Sequence, residues 1–200
     1  MKTLLVVNSS PNQHSSTTRE LAQHYTDSWL AQHPTGQVVQ RDLVETPLQP
    51  LDSDTIAAFY TTEDQRDEAA KQRIALSDQL VAELAAADDV VIAAPMHNFS
   101  VPGSLKLWID LICRVGVTFR YGEAGPIGLL QGKKATLITS RGGRYSAGSY
   151  GAALNHQDTM LTTVLGFVGI TEVNHVTAEG MSGENTAKDE AKLQLSALFS

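Results

Sequence analysis

The chain has 200 residues, a length that suits one sizeable domain. Hydrophobic residues make up 42% and charged residues 18%, a balance that supports a packed core. A formal net charge of -7 argues against a general binder of nucleic acid or of an anionic membrane, while leaving room for a local phosphate pocket.

Cys113 is the only cysteine, which excludes an intramolecular disulfide and fits a reducing compartment. The apolar run Leu4 to Val7 is too short for a signal-peptide core. No stretch approaches the roughly 20 apolar residues of a membrane helix. These readings predict a cytoplasmic protein with no membrane partner.

Short apolar runs alternate with helical patterns. Strands are predicted at Thr3–Asn8, Gln37–Asp42, Asp89–Ala94, Lys134–Thr139 and Thr171–Ala178. Helices are predicted at Ser16–Gln32, Asp64–Ala87, Ser104–Val115, Ala152–Phe167 and Glu184–Phe199. Trp29 and Trp108 fall on apolar helix faces, and Cys113 in a helical run, all as core residues. Two segments, Leu43–Thr62 and Gly116–Gly132, are surplus and are expected as long loops, the second forming a pocket wall or subunit contact. The alternation predicts one α/β domain over residues 1–200, doubly wound, with a five-stranded parallel sheet in the order 2-1-3-4-5 and helices on both faces.

In such a sheet, ligands bind beyond the carboxyl ends of the strands where the winding reverses. The loops there read "SSPNQHSST", "APMHNFSVPG" and "SRGGRYSAG". The first has no glycine, which excludes both a dinucleotide fingerprint and a Walker A loop. Ser15, Ser16 and Thr17 open a helix, where free N–H groups and the helix dipole attract an anion. They serve either as a phosphate cradle or as ordinary caps. In the second loop, Met96 and Phe99 suit an aromatic ring, and Asn98 its polar edge. In the third, Gly142 and Gly143 allow close backbone approach, and Arg141 offers a donor fork. One phosphate cradle beside residues suited to a planar heterocycle points to flavin mononucleotide (FMN).

At these residues the chain resembles the FMN-dependent NADH:quinone oxidoreductases known as azoreductases. "APMHNF" is similar to the family's "APMYNF", and "GVTFRYGEAGPIGLLQGKKA" followed by "ITSRGG" resembles it closely, as do "SSPNQHSST", "LGFVGI" and "AEG". The resemblance runs the whole length. It implies a flavodoxin-like fold, a homodimer and one tightly bound, non-covalent FMN per subunit. It places Ser10 and Ser15–Thr17 on the phosphate side, and Met96, His97, Asn98, Phe99, Ser140, Arg141, Gly142 and Gly143 around the ring and ribityl chain.

Two departures flank the expected substrate pocket. His97 replaces the usual tyrosine, and Arg144-Tyr145 replaces a common aliphatic-histidine pair. Phe119, Tyr121 and Tyr145 are the candidate pocket residues, the first two from the partner subunit. The implied activity is a ping-pong transfer of hydride from NADH or NADPH through FMN to quinones and aromatic azo compounds. No protein acid, base or nucleophile is named, because the cofactor carries the chemistry. An electron-carrying flavoprotein is the main rival. A hydrolase would need a G-x-S-x-G elbow that the chain lacks, and the six histidines share no metal-ligand spacing.

Overall fold

The computed structural model describes residues 1–183 and 186–200. Its elements in chain order are β1 (Thr3–Asn8), α1 (Thr17–Gln32), β2 (Gln37–Asp42), α2 (Ser53–Tyr60), α3 (Glu68–Ala86), β3 (Asp89–Pro95), α4 (Gly103–Ile112), β4 (Phe119–Gly122), β5 (Gly125–Gly128), β6 (Lys134–Ser140), α5 (His156–Val168), β7 (Glu172–Ala178) and α6 (Ala187–Ala197). Five of the strands form a parallel sheet in the order β2-β1-β3-β6-β7. With the β4–β5 pair set aside, this is the expected 2-1-3-4-5.

The central strands are apolar on both faces, as parallel strands covered on both sides must be. Side chains alternate along each strand. Leu5, Val7, Val90 and Ile92 therefore enter a core with residues of α3, α4 and α5. Leu4, Val6, Val91 and Ala93 enter a second core with residues of α1 and α6. Trp29 and Trp108 are buried in these cores, as expected. The indole N–H of Trp29 donates to buried Asp89 at 2.9 Å, which satisfies its one polar atom. Gly36 has no room for a side chain, since a Cβ there would lie 2.4 Å from the Trp29 ring.

Both surplus segments carry structure that the sequence reading treats as loop. Pro47 and Pro50 precede α2 rather than preventing it. Asp52 caps that helix by accepting the Thr55 N–H at 2.7 Å, and Ala58 and Phe59 are buried. In the other segment β4 and β5 form an antiparallel hairpin with Phe119 opposite Gly128. Four-residue strands are too short to display a period of two. The hairpin is anchored by Phe119 packed on Phe167 at 4.3 Å and by Gly128 against Gly169, where a Cβ would fall 2.1 Å from backbone nitrogen.

Boundaries shift where caps decide them. Asp67 accepts the Ala70 N–H at 2.8 Å, so α3 starts at Glu68 rather than Asp64. Asn155 accepts the Asp158 N–H at 3.2 Å, so α5 starts at His156, after a 3-10 turn at Ala152–Leu154. The predicted start of the last helix, at Glu184, lies outside the described residues.

Candidate functional site

Strand register sets the site. Pro95 pairs with Ser140, and Ser140 with Ala178, so three loops leave the sheet side by side. The chain leaving β1 joins them, since Ser9 donates to the Ala93 carbonyl through its N–H at 3.1 Å and its hydroxyl at 2.8 Å.

The loop after β1 is ordered by its own polar groups. The Asn12 side-chain oxygen accepts the N–H groups of His14 and Ser15 at 3.1 and 3.0 Å, and its amide donates to the Ser15 hydroxyl at 3.0 Å. Ser16 is the N-cap of α1, its hydroxyl accepting the Arg19 N–H at 3.4 Å and its carbonyl the Glu20 N–H at 3.0 Å. Capping thus accounts for Ser16. The N–H groups of Thr17 and Thr18 are the first two of the 16-residue helix and point out of its positive end.

Arg19 is not a free anion clamp. It donates to the Ser10 carbonyl at 3.2 and 2.8 Å and forms a bidentate pair with Asp42. The Arg19 hydrogen bond holds the Asp42 carboxyl below its ordinary value. Arg19 so fixes the buried Ser10 and joins the ends of β1 and β2.

After β3 the chain makes a tight two-residue turn. His97 and Ser100 exchange N–H···O bonds of 2.9 and 3.0 Å. The central residues have positive φ, Asn98 at 47° and Phe99 at 72°. That is the pattern of a type I′ turn, usually built on Asn-Gly. A bulky aromatic in this region is an outlier worth about 1–3 kcal/mol. The turn is held from outside, with the Met96 N–H donating to Ser140 at 2.8 Å and the His156 N–H to Phe99 at 3.1 Å. It presents the Phe99 ring 43% exposed.

The third loop corrects one expectation. Arg141 offers no fork to a ligand: its side chain is 1% exposed and spent on Gln157 at 3.2 Å, Glu179 at 2.8 Å and Asp158. Gln157, itself buried, donates to the Ala94 carbonyl at 3.1 Å. Glu179 accepts the N–H groups of Tyr145 and Ser146 at 3.0 and 3.3 Å. Burial pushes the Glu179 carboxyl up, but bonds from Ser146, Tyr145 and Arg141 outweigh it and leave the carboxyl below its ordinary value. Arg141 is the post around which three loops are tied.

Glu179, Gln157 and Asp158 were not legible as site residues. Each is an ordinary polar residue until the fold brings it to Arg141. The loop after β7 continues the pairing, the Met181 and Ser182 N–H groups donating to Arg141 and Gly142 at 3.0 and 3.2 Å. A Cβ on Gly142 would meet the Ser182 hydroxyl at 2.6 Å.

Met96, Asn98, Phe99, Gly142, Gly143, Tyr145 and Ser182 enclose a cavity of about 340 Å³. Tyr145 meets Phe99 edge to face at 6.2 Å. Of the remaining candidates, Ser10, Ser15 and Ser16 stand on the neighbouring β1 loop, Thr17 opens α1, Ser140 closes β6, and His97 is exposed on the turn. Phe119 and Tyr121 do not line this cavity. Phe119 is buried beneath the hairpin and Tyr121 is 68% exposed on it. No group of His, Cys, Asp or Glu suited to a metal occurs among the described residues. Burial pushes the Cys113 thiol up to about 11, so it is no thiolate nucleophile.

A parallel sheet with ring-bearing, glycine-paired loops at its carboxyl end defines the flavodoxin-like class, and the family model for the flavodoxin-like fold matches residues 2–198. The chain belongs to that family, within its branch of FMN-dependent NADH:quinone oxidoreductases. Relatives bearing that name share 43% identity in Azotobacter vinelandii, over 91% of this chain and 89% of the relative. In Acidobacterium capsulatum the figure is 47%, over 91% and 88%. A crystal structure of azoreductase from Bacillus anthracis superposes with a TM-score of 0.91 at 25% identity, covering 100% of this chain and 99% of that one.

Proposed function

We propose that the chain is an FMN-dependent two-electron reductase that works in the cytoplasm. It would take hydride from NADH, or NADPH, and pass two electrons to quinones and aromatic azo compounds in a ping-pong cycle. The observation that carries this reading is the convergence of the Asn98-Phe99 turn and the Gly142-Gly143 pair on one cavity at the carboxyl end of the sheet, in a chain with relatives of that name.

The residues fit the cofactor. The amino end of α1, with Ser15, Ser16 and Thr17 and the carbonyl-anchored Ser10, suits a phosphate without a dedicated cation. Met96 and Phe99 suit the flat face of the ring, and the backbone at Asn98, Gly142 and Gly143 its polar edge. His97 and Ser140 would flank it, while Arg141 positions the loop from beneath. When bound, FMN supplies the two-electron chemistry itself. The protein's share is to bind, orient and keep out water. The cycle consumes one NADH and one proton for each quinone reduced to its hydroquinone.

We also assign the working unit as a homodimer of doubly wound single-domain subunits. Tyr121 and Ile127 on the hairpin, and Ile56 and Tyr60 on α2, are exposed apolar groups that a second copy would cover. Phe119 would brace Tyr121, 5.6 Å away, as that residue reaches the partner's pocket.

The test is a visible spectrum of the purified protein with FMN, followed by NADH under argon and then a quinone. Flavin bands that bleach with NADH and return with quinone are expected. Binding without bleaching would favour an electron carrier, and absence of binding would end the reading. Light scattering during gel filtration checks the dimer.

A further inference from the structure

We infer that the Tyr145 ring is a partition between the cavity above and a second one, and that the second cavity accepts the distal, anionic aryl ring of a two-ring acceptor. This rests on the reductase reading just given.

Gly143 and Tyr145 line both cavities. The second, about 470 Å³, adds Arg144, Tyr150, Gly151 and Leu154 to its walls. The ring stands in a slot cut by two glycines. A Cβ on Gly143 would lie 3.1 Å from Tyr145 Cε2, and one on Gly151 2.8 Å from Cδ1. Any side chain at either position would press on the ring.

The backbone of Tyr145 is held by hydrogen bonds, its ring by packing alone. Its N–H is held by Glu179 at 3.0 Å, and its carbonyl accepts the Asn155 amide at 3.4 Å. The phenol hydroxyl makes no hydrogen bond among the described residues, and the ring touches Phe99 only edge to face. Removing the ring would therefore break no hydrogen bond and would join the two spaces it separates.

Size and charge select the occupant. The first cavity is at the small end of ligand sites, and the flavin ring would take much of it. An acceptor with a second aromatic ring needs room outside it. Tyr150 and Leu154 are exposed apolar walls. Arg144 is exposed on the same wall and enters no ion pair among the described residues. A flat ring bearing a carboxylate or sulfonate matches both.

The experiment compares FMN-saturated wild type with Tyr145→Ala, Tyr145→Phe, Leu154→Trp and Arg144→Gln. For each, kcat and KM are measured with NADH and three acceptors: a monocyclic benzoquinone, a diaryl azo compound carrying a carboxylate, and its neutral analogue. Tyr145→Ala should raise kcat/KM for the diaryl compounds over benzoquinone by about tenfold, mainly through KM. Tyr145→Phe should keep the wild-type ratio. Leu154→Trp, which narrows the second cavity and leaves the partition in place, should lower the ratio by about tenfold. Arg144→Gln should cut the preference for the anionic over the neutral compound by about fivefold. If the variants bind FMN and the ratios do not move, the partition is wrong and the reductase reading stands. If wild type binds no FMN, both fall.

Discussion

The two ends of the same sheet carry cavities of similar size and opposite character. At the amino end, about 390 Å³ is bounded by Lys2, Trp29, Asp89, Lys134, Glu172 and their neighbours. There the polar groups are spent on one another: Trp29 on Asp89 at 2.9 Å, Lys2 on Asp89 at 3.7 Å, and Lys134 on Glu172 at 2.7 Å. At the carboxyl end the cavity is about 340 Å³, but an aromatic is held at positive φ and paired glycines face the space. Cavity volume does not distinguish a binding site from a packing defect. Strain held in place by surrounding bonds, with unspent groups aimed outward, does.

The sharpest test of that contrast is Arg141→Ala. It removes the post shared by Gln157, Asp158 and Glu179 and leaves two carboxylates facing each other's loops. Stability in urea should fall by about 3 kcal/mol, and FMN binding should fall with it. Trp29→Phe perturbs the other end. Losing the donor to buried Asp89 should lower stability by about 1–3 kcal/mol, yet leave the FMN dissociation constant where it was. Weakened FMN binding in Trp29→Phe would break the distinction between the two ends.

Phe99→Gly separates strain from function. Glycine adopts a φ of 72° freely, so apo-protein stability should change by less than about 1 kcal/mol. FMN affinity should fall about tenfold, read by quenching of flavin fluorescence. Unchanged affinity would remove Phe99 from the site.

Acid should act on the carboxyl end first. The Arg19 hydrogen bond lowers the Asp42 carboxyl. Burial raises Asp158 and Glu179, but their hydrogen bonds outweigh it and leave both lowered. A carboxyl lowered by folding stabilises the protein above its unfolded value, about pH 4, and that stabilisation is lost as pH falls through the lower folded value. Hydrogen exchange followed from about pH 6 to about pH 3 should show the loops around Arg141 opening before the segment around Trp29.

Much of this is legible in the sequence. The runs "LLVV" and "DVVIAA" had to be covered strands, because an unbroken apolar run is stable only between two layers. The strand order followed from alternating elements without a dinucleotide fingerprint, and it pointed to the loops after β1, β3 and β6. The turn at Asn98-Phe99 was legible only as a ring-facing loop. Its two positive φ values could not be, because phenylalanine advertises the opposite preference. Arg141 was misread for a related reason. An arginine after a strand, beside two glycines, looks like a ligand clamp until its partners from α5 and from the end of β7 are known.

The sequence by itself determined the five sheet strands and the helices between them, the sheet order, the family and the end of the sheet where a ligand belongs, since these follow from periodicity and motifs that act within a few residues; it did not determine α2 or the β4–β5 hairpin. Only the tertiary structure decided that Arg141 faces inward, that Glu179 holds the Tyr145 loop, and that Gly143 and Gly151 make a slot for one ring. The Glu179 contacts join residues 34 and 38 positions apart, and the slot closes only because the loop from Gly143 to Gly151 folds back on Tyr145. Such meetings depend on how layers pack, and no local preference encodes them.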